Sequence, residues 1–326
     1  MVAFALASRL WRTWAGAAAV APHSPSARAA YGAVSHEGKM WLLGGWKPPG
    51  YNLCNEVWSF DGESWQHIAD APWKKRAYFP AVSFKGRIWI AGGFEHYPPS
   101  NVIGDVWCSP DGKHWDQVNA DPPWEDREHH GLVVLNGRMI LFGGMLYLKS
   151  GPDAEFRAFS DVWASDDGAN WIRLTENAPW GPRRGFGYGV LNDRIYLYGG
   201  RDSHDHPYSD VWSSTDGQEW ADEGTAPWSP RGGISAVFQK KLWVFGGNVG
   251  TDIAPSQDAW CSADGRTWSR ERDLPFTPRI GVAPTVESKV DGEERLWVIG
   301  GVDSRRRCLS DVWTTTDGRK WEEYGG

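Results

Sequence analysis

The chain has 326 residues, 14% of them aromatic, with 23 tryptophans and a formal net charge of −7. That acidic balance argues against a nucleic-acid partner, and no stretch is long and apolar enough to span a membrane as a helix. The length alone allows two domains, but no linker or low-complexity segment divides it.

The first 36 residues contain no acid, and Arg9 and Arg12 interrupt an apolar run. A secretory signal fits this start poorly. An organelle presequence over residues 1–22 fits its Arg- and Ala-rich composition better, and without one a cytoplasmic chain is expected. From residue 23 onward one pattern recurs to the C-terminus. Its clearest copy runs from Arg184 to Trp228. An arginine opens a small-residue strand (a), then a turn leads to an apolar strand (b) ending in a double glycine. A polar loop, an acid-x-Trp strand (c), an Asp-Gly turn, a second Trp strand (d) and a Pro-Trp exit follow.

The double glycine stands at Gly44, Gly92, Gly143, Gly199, Gly246 and Gly300 with the residue after each. Strand c carries Trp58, Trp107, Trp163, Trp212, Trp260 and Trp313, and strand d carries Trp65, Trp115, Trp171, Trp220, Trp268 and Trp321. The period of roughly 50 residues lies in the range of propeller blades. The diglycines and spaced tryptophans resemble the kelch repeat over nearly the whole chain. The resemblance implies an all-β fold: a six-bladed kelch-type β-propeller with four antiparallel strands per blade, over residues 23–326. Trp14, Ala21-Pro22 and Arg28 echo the strand-d exit of Trp220, Ala226-Pro227 and Arg231, so residues 1–22 read alternatively as a d-like strand closing the ring.

Strand direction puts the d–a and b–c loops on one rim, the mouth, and the a–b and c–d turns on the other. The back turns are short and uniform, whereas the mouth loops vary. The longest is Met145 to Ser160, a candidate lid. Variable loops on a rigid scaffold are where binding concentrates. Six arginines open strand a: Arg28, Arg76, Arg127, Arg184, Arg231 and Arg279. Two readings stand. They form an anion trap, since guanidinium forks match carboxylates, and kelch domains that capture acidic peptides resemble this arrangement. Or they pair with the strand-c acids Glu56, Asp105, Asp161, Asp210, Asp258 and Asp311, because buried charges need partners.

Function is sought in what breaks the repeat. After the diglycines stand Trp46, Phe94, Met145, Arg201, Asn248 and Val302. Trp46 is a tryptophan the repeat does not require, so it is a stacking platform or a cap on its own blade. Tyr78 and Tyr188, near strand a, line the channel or pack between blades. Glu95, His96, His129 and His130 form a candidate acid–base group at the mouth. Asp202, His204 and His206 alternate along one loop, but no fourth ligand is fixed, so no metal is expected and His204 is kept as a ligand contact. Arg305, Arg306 and Arg307 make a basic tip in the last repeat. The four cysteines are too few for a disulfide scaffold; Cys54 and Cys308 fall in loops of neighbouring blades.

Two functions follow. The first is a binding propeller, expected to be monomeric, that grips an acidic small molecule or an acidic peptide or protein at its mouth. The second rests on similarity to the sialic-acid mutarotases, stand-alone six-bladed kelch propellers. It implies anomer interconversion of an acidic sugar without a cofactor, with arginines on the substrate carboxylate and Glu95, His96 or His129 moving the proton.

Overall fold

The computed structural model describes residues 24–49, 52–96, 101–149, 155–249, 255–282, 287–290 and 293–325. Within them the chain forms six four-stranded antiparallel sheets, each with its strands in sequence order. Blade 1 comprises Gly32–His36, Lys39–Leu43, Glu56–Phe60 and Trp65–Asp70. Blade 2 is Ala81–Phe84, Arg87–His96, Asn101–Ser109 and Asp116–Asn119; blade 3 is Gly131–Leu135, Arg138–Phe142, Val162–Ser165 and Ile172–Thr175. Blade 4 is Gly187–Leu191, Arg194–Tyr198, Asp210–Ser214 and Ala221–Thr225. Blade 5 is Arg231–Phe238, Lys241–Val249, Ala259–Ser262 and Ser269–Arg270, and blade 6 is Glu287–Val290, Glu293–Ile299, Val312–Thr315 and Glu322–Glu323. Two small hairpins stand on the mouth rim, Trp46–Lys47 with Asn52–Leu53 and Met145–Lys149 with Glu155–Ala158.

Strand a is built of small residues because it has little room. A Cβ on Gly187 would lie 2.1 Å from the Tyr198 ring. The diglycine has a conformational reason as well. Gly92 and Gly93 sit at φ of 62° and 116°, and a Cβ on Gly93 would meet the Ala77 carbonyl at 2.9 Å.

The tryptophans hold blade to blade. Trp41, Trp89 and Trp243 of strand b lie over the c–d turn glycine of the next blade, where a Cβ would approach the ring to 2.2 Å at Gly112, 2.0 Å at Gly168 and 2.1 Å at Gly318. The exit tryptophans meet the strand-d tryptophan of the next blade edge to face: Trp73 with Trp115 at 5.8 Å, Trp124 with Trp171 at 5.9 Å, and Trp228 with Trp268 at 4.5 Å. Edge-to-face geometry adds about 0.5–1.5 kcal/mol per pair beyond the burial itself.

The ring closes between blades 6 and 1 by the same kind of packing. The Tyr31 hydroxyl donates to the Ile299 carbonyl at 2.5 Å, and Phe60 meets Trp297 at 5.1 Å. A belt of backbone bonds crosses four of the blade junctions. Ala30 N–H donates to Gly281 O, Tyr78 N–H to Ala30 O, His129 N–H to Tyr78 O and Gly185 N–H to His129 O. No sheet among the described residues borrows a strand from the other end of the chain. The closing strand and the presequence both fall on residues 1–22, outside the described residues.

Candidate ligand-binding site

Five of the six arginines expected at the mouth are committed to the scaffold. Arg28, Arg76, Arg127, Arg231 and Arg279 are buried. Arg76 is representative. It donates to the two oxygens of Asp105 at 2.6 and 3.0 Å and to the Gly92 carbonyl at 3.0 Å, and lies 5.5 Å over the Trp73 ring. The Trp107 indole donates to the same Asp105 at 2.7 Å. Arg127 pairs with Asp161, Arg231 with Asp258 and Arg279 with Asp311 in the same way, whereas Arg28 meets one Glu56 oxygen at 2.7 Å and Lys47 takes the other. Strands a, b and c of a blade are thus pinned at one point. Burial pushes Glu56 and Asp258 up, but hydrogen bonds from Lys47, Arg28 and Trp58 to Glu56, and from Arg231, Ser256 and Trp260 to Asp258, outweigh it and hold both at about 2. These five are therefore a structural network and not an anion trap.

Blade 4 departs by one residue. Its scaffold arginine is Arg183, fully buried and bound to Asp210 at 2.7 and 2.8 Å and to the Gly199 carbonyl at 3.0 Å. Arg184 is left to the mouth. The signal was present in the sequence: Trp73-x-x-Arg76, Trp124-x-x-Arg127 and Trp228-x-x-Arg231 share a spacing that selects Arg183 after Trp180.

The residue after each scaffold arginine pairs by backbone with the residue after the diglycine. Around the ring these pairs are Ala29 with Trp46, Ala77 with Phe94, Glu128 with Met145, Arg184 with Arg201, Gly232 with Asn248, and Ile280 with Val302. Two positions in blade 4 carry like charges directly opposite each other, an arrangement that is destabilising unless an anion relieves it. Asp205 reaches Arg184 from the b–c loop, and Phe156 lies 4.6 Å beneath the Arg184 guanidinium. Burial lowers the Arg201 pKa from the ordinary arginine value; Asp205 opposes this, and the Arg184 charge adds to it. Arg184, Arg201 and the half-exposed Asp205 carboxylate thus meet in one sector of the mouth.

Both arginines line a cavity of about 350 Å³ at the mouth. Trp46, Tyr78, His129, His130 and Tyr188 share its wall, and Arg306 and Asp303 reach it from blade 6. The blade 4 and blade 6 loops follow one template: Asp202 accepts from the amides of His204 and His206, and Asp303 from those of Arg305 and Arg307. Asp205 and Arg306 hold the same place in them, at φ of 63° and 60°. One loop thus offers an acid and the other a base.

The remaining expected residues scatter. Tyr78 and His129 stack at 4.1 Å, both in left-handed backbone, at φ of 56° and 53°, where blades 4 and 6 use Gly185 and Gly281. His130 is buried, and burial first, then the Arg127 and His129 charges, push its pKa well below the ordinary imidazole value. It fills a place taken elsewhere by Tyr31, Phe79 and Phe186. Trp46 is nearly buried against Ala29 and Val302, a wall of the cavity. Phe94 packs toward Tyr147 at 6.5 Å and is not part of the cavity lining. Glu95 does not join the histidines in the cavity lining: Lys74 and Asn101 bind it at 2.8 and 2.9 Å. His96 ends strand b of blade 2, paired with Asn101. Of the expected acid–base group Glu95, His96, His129 and His130, the cavity lining brings together His129 and His130 only. His204 is exposed outside the cavity; its ligand atom, with those of Asp202 and His206, lies within a 4.8 Å cluster. Glu128, which no motif of the sequence marks, is buried beside His129.

Architecture and mouth together define a kelch-like six-bladed propeller. Residues 11–323 match the DUF6242 beta propeller domain, and the chain belongs to that family. No curated protein matches it. It is similar to the solved structure of YjhT, at 16% identity and a TM-score of 0.72 over 92% of this chain and 99% of that one, a likeness of fold.

Proposed function

We propose that the mouth binds a small carboxylate-bearing molecule, with Arg184 and Arg201 on the carboxylate and Tyr78, His129 and Trp46 against the body of the ligand. The observation that carries this reading is the Arg184–Arg201 backbone pair, a doubled positive charge found in one blade at positions that are not positively charged in the other five. A guanidinium pair meets a planar carboxylate with charge-assisted bonds, each contributing about 1.5–3 kcal/mol. The cavity volume suits a monosaccharide acid or a single acidic side chain better than an extended peptide.

Isothermal titration with acidic sugars, a sialic acid among them, tests the reading. Arg184→Ala and Arg201→Ala are each expected to weaken binding at least ten-fold, with neutral sugars of the same size not bound. Binding that survives both substitutions would remove the proposal.

A second reading is favoured by His129, which adjoins the arginine sector: cofactor-independent anomer exchange of the bound sugar, with His129 moving the proton. NMR exchange spectroscopy on the anomers decides it. Exchange at the spontaneous rate leaves a binding protein.

A further inference from the structure

Glu128 is a carboxylate where a carboxylate is costly. The equivalent residues are Ala29, Ala77, Gly232 and Ile280 in four other blades and the mouth cation Arg184 in the fifth. Glu128 is 1% exposed, and its Oε2 has no hydrogen-bond partner among the described residues. Its Oε1 lies 3.5 Å from Nδ1 of His129, which is likewise sealed from solvent and without a hydrogen bond. Two buried polar atoms stand just beyond bonding length of each other, a gap that a small side-chain rotation closes; such bonds are often long before a ligand arrives.

The ring they serve is itself held. His129 keeps a left-handed backbone that glycine supplies in blades 4 and 6, and its face rests on Tyr78. The stack fixes the ring plane, and Glu128 occupies the Nδ1 side. Only Nε2 is left for the cavity that His129 lines. An acceptor at one imidazole nitrogen selects the tautomer with hydrogen there and leaves a lone pair on the other.

We infer that Glu128 is a positioning residue: it holds His129 as the Nδ1–H tautomer, so that Nε2 faces the cavity as a base beside the arginine pair. The inference rests on the carboxylate-binding reading only for what that base acts upon.

The test is ring-nitrogen NMR of the ¹⁵N-labelled protein, well above the ordinary imidazole range, with His129 assigned by loss of its signals in His129→Asn. The free protein is expected to show hydrogen on Nδ1 of His129 and none on Nε2. Glu128→Met, which keeps length and suits a buried site opposite Met145, is expected to move that hydrogen to Nε2. Glu128→Gln, whose amide oxygen still accepts, is expected to retain the wild-type pattern in part. A wild-type ring with hydrogen on Nε2, or an unchanged pattern in Glu128→Met, overturns the inference. The wild-type spectrum decides by itself if the Met variant does not fold. Failure of acidic sugars to bind, with the tautomer as expected, counts against the ligand reading alone.

Discussion

Blades 2 and 4 have the same skeleton and opposite mouths. Each pins its first three strands with an arginine, an aspartate and a tryptophan: Arg76, Asp105 and Trp107 in one, Arg183, Asp210 and Trp212 in the other. One residue further on, blade 2 has Ala77 against Phe94 and blade 4 has Arg184 against Arg201. Two adjacent arginines therefore do unrelated work. A guanidinium inside the sheet junction is neutralised and becomes architecture. The next one along the backbone lines the mouth cavity, paired with Asp205 and lying over Phe156. In this fold, position relative to the pin separates a buried, neutralised arginine from one at the cavity, and residue type alone does not.

The sharpest way to break the comparison is to remove each arginine in turn. Arg183→Ala leaves Asp210 without its buried partner and is expected to cost about 3–5 kcal/mol in a denaturant titration. Arg184→Ala loses a half-exposed pair with Asp205, worth about 1 kcal/mol or less, yet on the proposed carboxylate binding it is expected to abolish a thermal shift by acidic sugars. Equal losses of stability would show that the two are not distinct. Gly168→Ala comes next. Its new methyl would stand 2.0 Å from Trp89 at a φ of +76°, so overpacking and backbone strain together are expected to cost about 2–4 kcal/mol, read as a lowered midpoint with an unchanged slope.

Acid titration sharpens the claim that the pins are structural. The folded-state pKa values of Glu56 and Asp258, about 2, lie below the unfolded values near 4. Their contribution is therefore complete above the unfolded values and is lost as pH falls through about 2. Unfolding followed by tryptophan fluorescence is expected to show stability declining between about pH 4.5 and 2, and flat stability there would refute the claim. The smallest effect concerns the belt. Ala30 holds a φ of 53° but buries its methyl in the cluster with Trp46 and Val302, so the lost methyl partly offsets the relieved backbone strain and Ala30→Gly is expected to raise stability by less than about 1 kcal/mol in thermal unfolding.

Blade number, strand order and the mouth rim were legible in the diglycines, the paired tryptophans and the Asp-Gly turns, because these are local requirements repeated six times. The pairing of arginines with strand-c acids was legible as an alternative. In blade 4 the arginine expected to open strand a is Arg184, but the pin is its neighbour Arg183, which the Trp-x-x-Arg spacing at the exits of blades 1, 2 and 4 selects. Glu95, His96, His129 and His130 read as one group at the mouth; in space His129 and His130 line the cavity while Lys74 and Asn101 hold Glu95 elsewhere.

What the sequence by itself determined is the repeat and therefore the ring, since periodic strands with glycine at the crowded points and tryptophan at the junctions have one compact solution. Only the tertiary structure decided which charges are spent inside a blade and which face the mouth. Chain neighbours diverge in environment by a single residue, and the Arg184–Arg201 and Glu128–His129 juxtapositions exist only once separate segments have been brought to one rim.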